Sequence, residues 1–151
     1  MHARVAVADV ASARRPLALF TPGPLVAYGL NGKWHVGGEL ALGQYVGGYG
    51  YGVAFGGTTS GRIYAELQPA LVLGDRHNLV VGLNPGVVVD VTADKPRWGG
   101  QATLWFNYAH ARRHRVTLAS PIVPFARVQA VGGAGLDVTF GVTLKLPLPA
   151  S

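Results

Sequence analysis

The feature that most constrains this chain is a strict period of two near its end. Leu136, Val138, Phe140, Val142, Leu144, Leu146 and Leu148 share one parity, and Asp137, Thr139, Gly141, Thr143 and Lys145 hold the other. Successive side chains of a strand point to opposite faces, whereas a helix repeats every 3.6 residues or so; only an extended strand with two unlike faces fits this spacing. The split recurs upstream. Trp34, Val36, Leu40, Leu42 and Val46 alternate with His35, Gly37, Glu39, Ala41 and Gly43. Ile63, Ala65, Leu67, Leu71 and Leu73 oppose Tyr64, Glu66 and Gln68, and Leu79 to Val91 oppose Gly82, Asn84, Gly86 and Asp90. Ala102, Leu104, Phe106 and Tyr108 oppose Gln101, Thr103, Trp105 and Asn107, while Val116 to Val128 oppose Thr117, Phe125, Arg127 and Gln129. Gly-, Asp- and Pro-containing turns separate the runs. Two further strands are expected, one at Tyr49–Gly57 and one at Leu17–Leu30, the latter bent and broken at Pro22-Gly23-Pro24. The count predicts eight antiparallel strands joined as a meander without a helix. Residues 1–15 are expected as a tail, or Arg4–Val10 as a short extra strand, and residues 16–149 as one β domain.

Alternation alone does not say which face meets water, and composition enters here. Charged residues make up 13% of the chain and hydrophobic ones 49%, against about 25% charged in an average soluble domain. No window of about 18 residues is uniformly apolar, which excludes a membrane helix. The runs are long beside the roughly 5–6 residues typical of soluble strands, and they match the roughly 9–11 tilted residues that cross a bilayer. The polar parity consists of Gly, Thr, Asn and Gln together with Glu39, Glu66, Asp90, Arg127, Asp137 and Lys145, a thin coat for a water-facing surface. Turned inward, the same residues pair across a narrow lumen and glycine leaves them room. The apolar parity then faces lipid, with Tyr28, Trp34, Trp98 and Tyr108 near strand ends as an aromatic girdle. The expected fold class is all-β, an antiparallel up-and-down transmembrane β-barrel of about eight strands.

With this pattern in hand, the segment Leu17 to Leu148 resembles the small outer-membrane β-barrels of the OmpA-like type. The resemblance rests on alternation, glycine content and segments such as Gly135 to Leu148, not on an invariant motif. It implies an integral barrel of the bacterial outer membrane with a structural or envelope role, or a narrow passive conduit. Pro69, Pro85, Pro121 and Pro124 depart from an evenly paired barrel, because proline removes ladder donors and marks bulges or edges.

The net charge of +6 comes from 13 Lys and Arg against 7 Asp and Glu. The bases sit in punctuation at Arg14-Arg15, Arg76-His77, Lys95-Pro96-Arg97 and Arg112 to Arg115, without interleaved aromatics, so nucleic acid is not the expected partner. Solvated turns, or a basic rim on anionic lipid head groups, are expected instead. No cysteine is present, so disulfides and thiolate metal sites are excluded. His35 and Glu39 lie four residues apart, roughly 13 Å along a strand, too far to share a metal. No cofactor is expected. Residues 1–15 lack a signal-peptide apolar stretch, which fits a mature or truncated form.

Two other functions compete. A soluble calycin-type barrel would enclose a hydrophobic ligand with its apolar face, and Gly32-Lys33-Trp34 matches the Gly-x-Trp of that group. A lipid-modifying barrel enzyme would need a nucleophile and base in contact, with Ser120 and His110 or His114 as candidates and an acid among Glu39, Glu66 and Asp90. By parity Ser120 falls on the apolar side. The expected role of Glu39, Glu66, Asp90, Asp137, Arg62, Arg127 and Lys145 is mutual pairing inside the barrel.

Overall fold

The computed structural model describes residues 17–46, 49–73, 79–112, 115–118, 120–145 and 148–149. The expected N-terminal tail lies outside them, as do Arg76, His77, Arg113 and His114. The elements are β1 (Leu17–Gly29), β2 (Trp34–Val46), β3 (Tyr49–Thr58), β4 (Arg62–Leu67), β5 (Ala70–Leu73) and β6 (Leu79–Asp90). They continue with β7 (Arg97–Arg112), β8 (Arg115–Leu118), β9 (Ile122–Val131), β10 (Gly135–Leu144) and β11 (Leu148–Pro149). Three pairs of elements are halves of single barrel strands: β4 with β5, β8 with β9, and β10 with β11. Each of the eight resulting strands pairs with its neighbours in sequence, and β10 and β11 pair back to β1. The sheet closes into an antiparallel up-and-down barrel, with β8 and β11 each paired on one side only among the described residues. Among the described residues no helix is long and apolar enough to cross a membrane, a statement that does not bear on strands.

The register fixes the shape. Thr21 faces Ala41, Ala41 faces Ala54, Ala54 faces Glu66, and Glu66 faces Gly86. Gly86 faces Gln101, Gln101 faces Gln129, and Gln129 faces Asp137. The β10–β1 register then leads from Asp137 to Asn31, where Leu30 N–H donates to Val138 O and Asn31 Nδ2 to Asp137 Oδ1. One circuit that starts at Thr21 therefore returns to Asn31, a shear of ten residues over eight strands. With a rise of about 3.3 Å per residue and strands about 4.8 Å apart, that shear tilts the strands by about 40°. A ten-residue strand so tilted climbs about 25 Å, the height of the apolar band on a membrane barrel.

The break expected at Pro22-Gly23-Pro24 does not occur: β1 runs through, with Pro22 opposite Leu40 and Pro24 opposite Gly38. The reason is which way the missing donors point. Leu30 N–H turns toward β10, so even-numbered amides of β1 face that side, and both prolines place their absent N–H there. That is also where β10 stops at Leu144, leaving the β1–β2 ladder whole. A bulge does occur between β8 and β9. Leu118 pairs with Ala109 and Phe125 with Trp105, so the returning strand spends three extra residues around Ser120-Pro121. Tight turns close the opposite end, as at Gly61, whose φ of +76° suits glycine and whose N–H donates to Thr58 O.

Parity decides the two surfaces. Outward positions carry Val36, Leu42, Phe55, Leu83, Leu104, Phe140 and their neighbours, all exposed. Inward positions carry glycine, alanine, polar groups and a few large side chains. In the inner packing big residues stand opposite small ones: Trp105 faces Gly82 across the β6–β7 ladder and packs in one cluster with Ala70 and Phe125. A Cβ on Gly82 would lie 2.3 Å from the Trp105 indole nitrogen, and one on Gly56 would lie 2.3 Å from the Tyr64 ring. These glycines supply the volume that the two aromatics occupy.

Candidate functional site

Alternation aims six charged side chains into the lumen from four barrel strands, and they gather at two levels. The central level is organised by Arg127 of β9, which is 3% exposed. Its Nη2 lies 3.3 Å from Glu39 Oε2 and its Nε 3.6 Å from Glu66 Oε1. The guanidinium also stacks on Tyr64, 4.0 Å from the ring centroid, and its Nε donates to Thr103 Oγ1 at 2.8 Å. Glu39 of β2 accepts from Tyr64 OH at 2.9 Å and pairs with Lys145 Nζ at 2.9 Å. Lys145, the residue after β10, reaches over the Trp105 ring. Glu66 of β4 accepts from Gln101 Nε2 at 2.5 Å, from Thr103 Oγ1 and from Asn84 Nδ2 at 3.4 Å. Trp105 Nε1 in turn donates to Asn84 Oδ1 at 3.0 Å.

The second level lies toward the mouth that holds the 30–33 and 91–96 turns. Arg62 Nη1 contacts Asp137 Oδ2 at 2.5 Å and donates to Gln129 Oε1 at 2.7 Å, while Gln129 Nε2 donates to Gln101 Oε1 at 2.7 Å. A chain of hydrogen bonds thus joins mouth and centre. Three carboxylates (Glu39, Glu66, Asp137) meet three bases (Arg62, Arg127, Lys145), so the lumen network is neutral. Taking an ion out of water costs several kcal/mol unless it is paired and hydrogen-bonded, and here every buried charge is both.

The structure brings together Glu39, Arg62, Glu66, Arg127, Asp137 and Lys145 of the residues assigned to internal pairing, and leaves Asp90 out. Asp90 ends β6 on the inward parity, but one step beyond the Val89–Trp98 pair and at the turn. Its cross-strand partner Arg62 swings across the mouth to Asp137. The Asp90 carboxylate is satisfied locally instead. It accepts from the Thr92 hydroxyl at 2.6 Å and N–H at 2.9 Å, and these bonds hold it below the usual carboxylate range. His35 is buried, and its Nε2 finds no hydrogen-bond partner among the described residues. Sequence reasoning had set Tyr64, Gln101, Thr103, Asn84 and Trp105 on the polar parity without a role. They supply most of the hydrogen bonds in the network, because alternation gives a side but not a level.

On the outer wall Tyr28 and Trp34 meet edge-to-face at 5.1 Å between centroids near one mouth, with Trp98 exposed at the same end. Tyr108 is exposed toward the other end, where Tyr49 and Tyr51, unassigned from the sequence, join it. Lys33, Lys95 and Arg97 are exposed at the first mouth. Ser120 Oγ accepts from Ile122 N–H at 3.1 Å. His114 and the His110 side chain lie outside the described portion. Among the described residues no group of three or more His, Asp or Glu is arranged to hold a metal.

Chemically, the network can hold the walls together and obstruct the lumen. Comparison of the chain with family models, curated proteins and solved structures finds no match.

Proposed function

We propose that the chain is an integral β-barrel of the bacterial outer membrane, with a filled polar interior, a structural or envelope role and no catalysis. The observation that carries this reading is the inverted sidedness of the wall. Glu39, Glu66, Arg127 and Lys145 are buried inside, while Leu83 at 60%, Leu67 at 61% and Trp98 at 68% face outward. Water rewards the reverse arrangement, and hydrocarbon rewards this one, since a closed barrel satisfies every strand edge internally. The soluble calycin-type alternative needs an apolar lining around its ligand. The height of about 25 Å and the aromatics at both ends support a bilayer as partner. Exposed Lys33, Lys95 and Arg97 at one mouth suit anionic head groups.

The test is folding with and without detergent. The chain is expected to aggregate in plain buffer and to give a β circular-dichroism spectrum in micelles or vesicles. A folded monodisperse monomer in plain buffer would overturn the proposal. In planar bilayers the neutral, hydrogen-bonded plug is expected to give no steady conductance; a large ohmic pore would sink the filled-interior part.

A further inference from the structure

The barrel wall has a fault where β4 and β5 meet β6. Ladder pairs run from Arg62–Asp90 to Glu66–Gly86 and resume at Ala70–Gly82. Between them Leu67-Gln68-Pro69 faces Leu83-Asn84-Pro85. Gln68 N–H donates to Gly52 O of β3 at 2.8 Å, so odd-numbered amides of this strand point to β6. Val91 N–H donates to Gly61 O, so odd-numbered amides of β6 point back. Pro69 and Pro85 both stand at those positions. Each removes one cross-strand donor, and the carbonyls of Leu83 and Leu67 lose their ladder partners.

A groove of about 600 Å³ opens on the outer wall at this fault, lined by Leu42, Tyr51, Val53, Leu67, Pro69 and Pro85. That volume is within the range of small-ligand sites. Gln68 between Leu67 and Pro69 is buried, on the inward parity of Tyr64 and Glu66, so the groove itself is walled by outward side chains. At the edge Gln44 points outward and accepts from Tyr51 OH at 2.5 Å, a polar pair on an apolar face. Two backbone carbonyls without ladder donors, beside an apolar trough with a polar pair at its edge, describe an occupant with a hydrocarbon chain and a hydrogen-bonding end.

We propose that this groove seats one glycerophospholipid of the surrounding bilayer. An acyl chain lies along Leu42, Val53, Leu67 and the two prolines. The glycerol and head-group region meets the Gln44–Tyr51 pair and the freed carbonyls of Leu67 and Leu83. The assignment rests on the reading of the barrel as membrane-embedded.

The test folds the full chain into phosphatidylethanolamine–phosphatidylglycerol vesicles doped with a phosphatidylethanolamine that carries a diazirine in one acyl chain. Cross-linked peptides are then mapped by mass spectrometry. Labelling at Tyr51–Pro69 is expected about tenfold above the opposite wall at Val128 and Val142, the ratio given by a preference of about 1.4 kcal/mol. The double variant Pro69→Val/Pro85→Val restores both N–H donors and is expected to lower that labelling to the level of the opposite wall. Leu67→Trp, which fills the groove without touching the ladder, is expected to do the same. Even labelling around an inserted barrel, or labelling that both variants leave unchanged, overturns the lipid seat while the membrane reading stands. Failure of the chain to partition into vesicles overturns the membrane reading and this inference with it.

Discussion

Replacing Arg127 with Met tests the lumen network where it is most concentrated. The side chain is buried, and methionine retains most of the aliphatic volume between Tyr64 and Phe125. The change removes the guanidinium that lies 3.3 Å from Glu39 and 3.6 Å from Glu66, and a hydrogen bond to Thr103. Glu39 keeps Lys145 at 2.9 Å, but Glu66 keeps only the neutral donors Gln101, Thr103 and Asn84. Removing one partner from a buried ion pair costs about 3–5 kcal/mol, mainly because the remaining charge is stranded. Arg127→Met is therefore expected to lower the unfolding free energy in micelles by about 3–4 kcal/mol. Because the stranded charge is Glu66, adding Glu66→Gln should return about 1–3 kcal/mol, a coupling typical of contacting groups. Urea unfolding followed by tryptophan fluorescence and far-ultraviolet circular dichroism measures both. A single variant within about 0.5 kcal/mol of wild type, the range of an ordinary surface change, would refute the argument. So would a double variant no more stable than the single one, because the cost would then not lie in the orphaned carboxylate.

Leu104→Arg, on the outward face midway along β7, is expected to cost about 2–4 kcal/mol in vesicles, whereas a water-facing site would tolerate it within about 0.5 kcal/mol. Gly82→Val drives a side chain into the Trp105 indole and is expected to cost about 1–3 kcal/mol by overpacking, with a changed near-ultraviolet spectrum; an unchanged spectrum would show the ring is not seated there. At the mouth, Thr92→Val should raise the Asp90 titration midpoint toward the ordinary aspartate value, read by NMR. Since Asp90 is depressed in the fold, its contribution is present above the unfolded carboxyl range and fades as pH falls through the folded value; a midpoint indifferent to Thr92 would refute the assignment.

Much of this architecture was legible in the alternation. Once Leu136 to Leu148 is read as a two-faced strand, the other runs fall into the same parity, and side-chain sidedness follows from backbone geometry alone. Three things were not legible, each for a physical reason. The consequence of a proline depends on which neighbour its missing N–H would have faced. That is why Pro22 and Pro24 leave β1 whole, whereas Pro69 and Pro85 coincide on one seam. The level of a side chain depends on shear, a sum of registers around the whole ring. So Asp90, of the right parity, ends at the rim, while Glu39 and Arg127, 88 residues apart, meet. Tyr64 and Trp105 read as ordinary polar-parity positions until the glycines opposite them, Gly56 and Gly82, are placed by the fold.

The neutrality of the lumen has an electrical consequence for the molecule. With three acids and three bases cancelling inside, the entire excess of +6 belongs to residues outside that network. The lumen holds a balanced set of charges, while at the first mouth Lys33, Lys95 and Arg97 stand near Asp90 and Asp94. Small ions screen the exposed charges of that mouth, whose interactions fade beyond about 8 Å at physiological ionic strength, whereas Glu39, Glu66 and Arg127 are buried. Salt is therefore expected to separate two energies that most proteins mix: it weakens the pull of the exposed charges on any charged partner, while the buried pairs of the barrel hold as before.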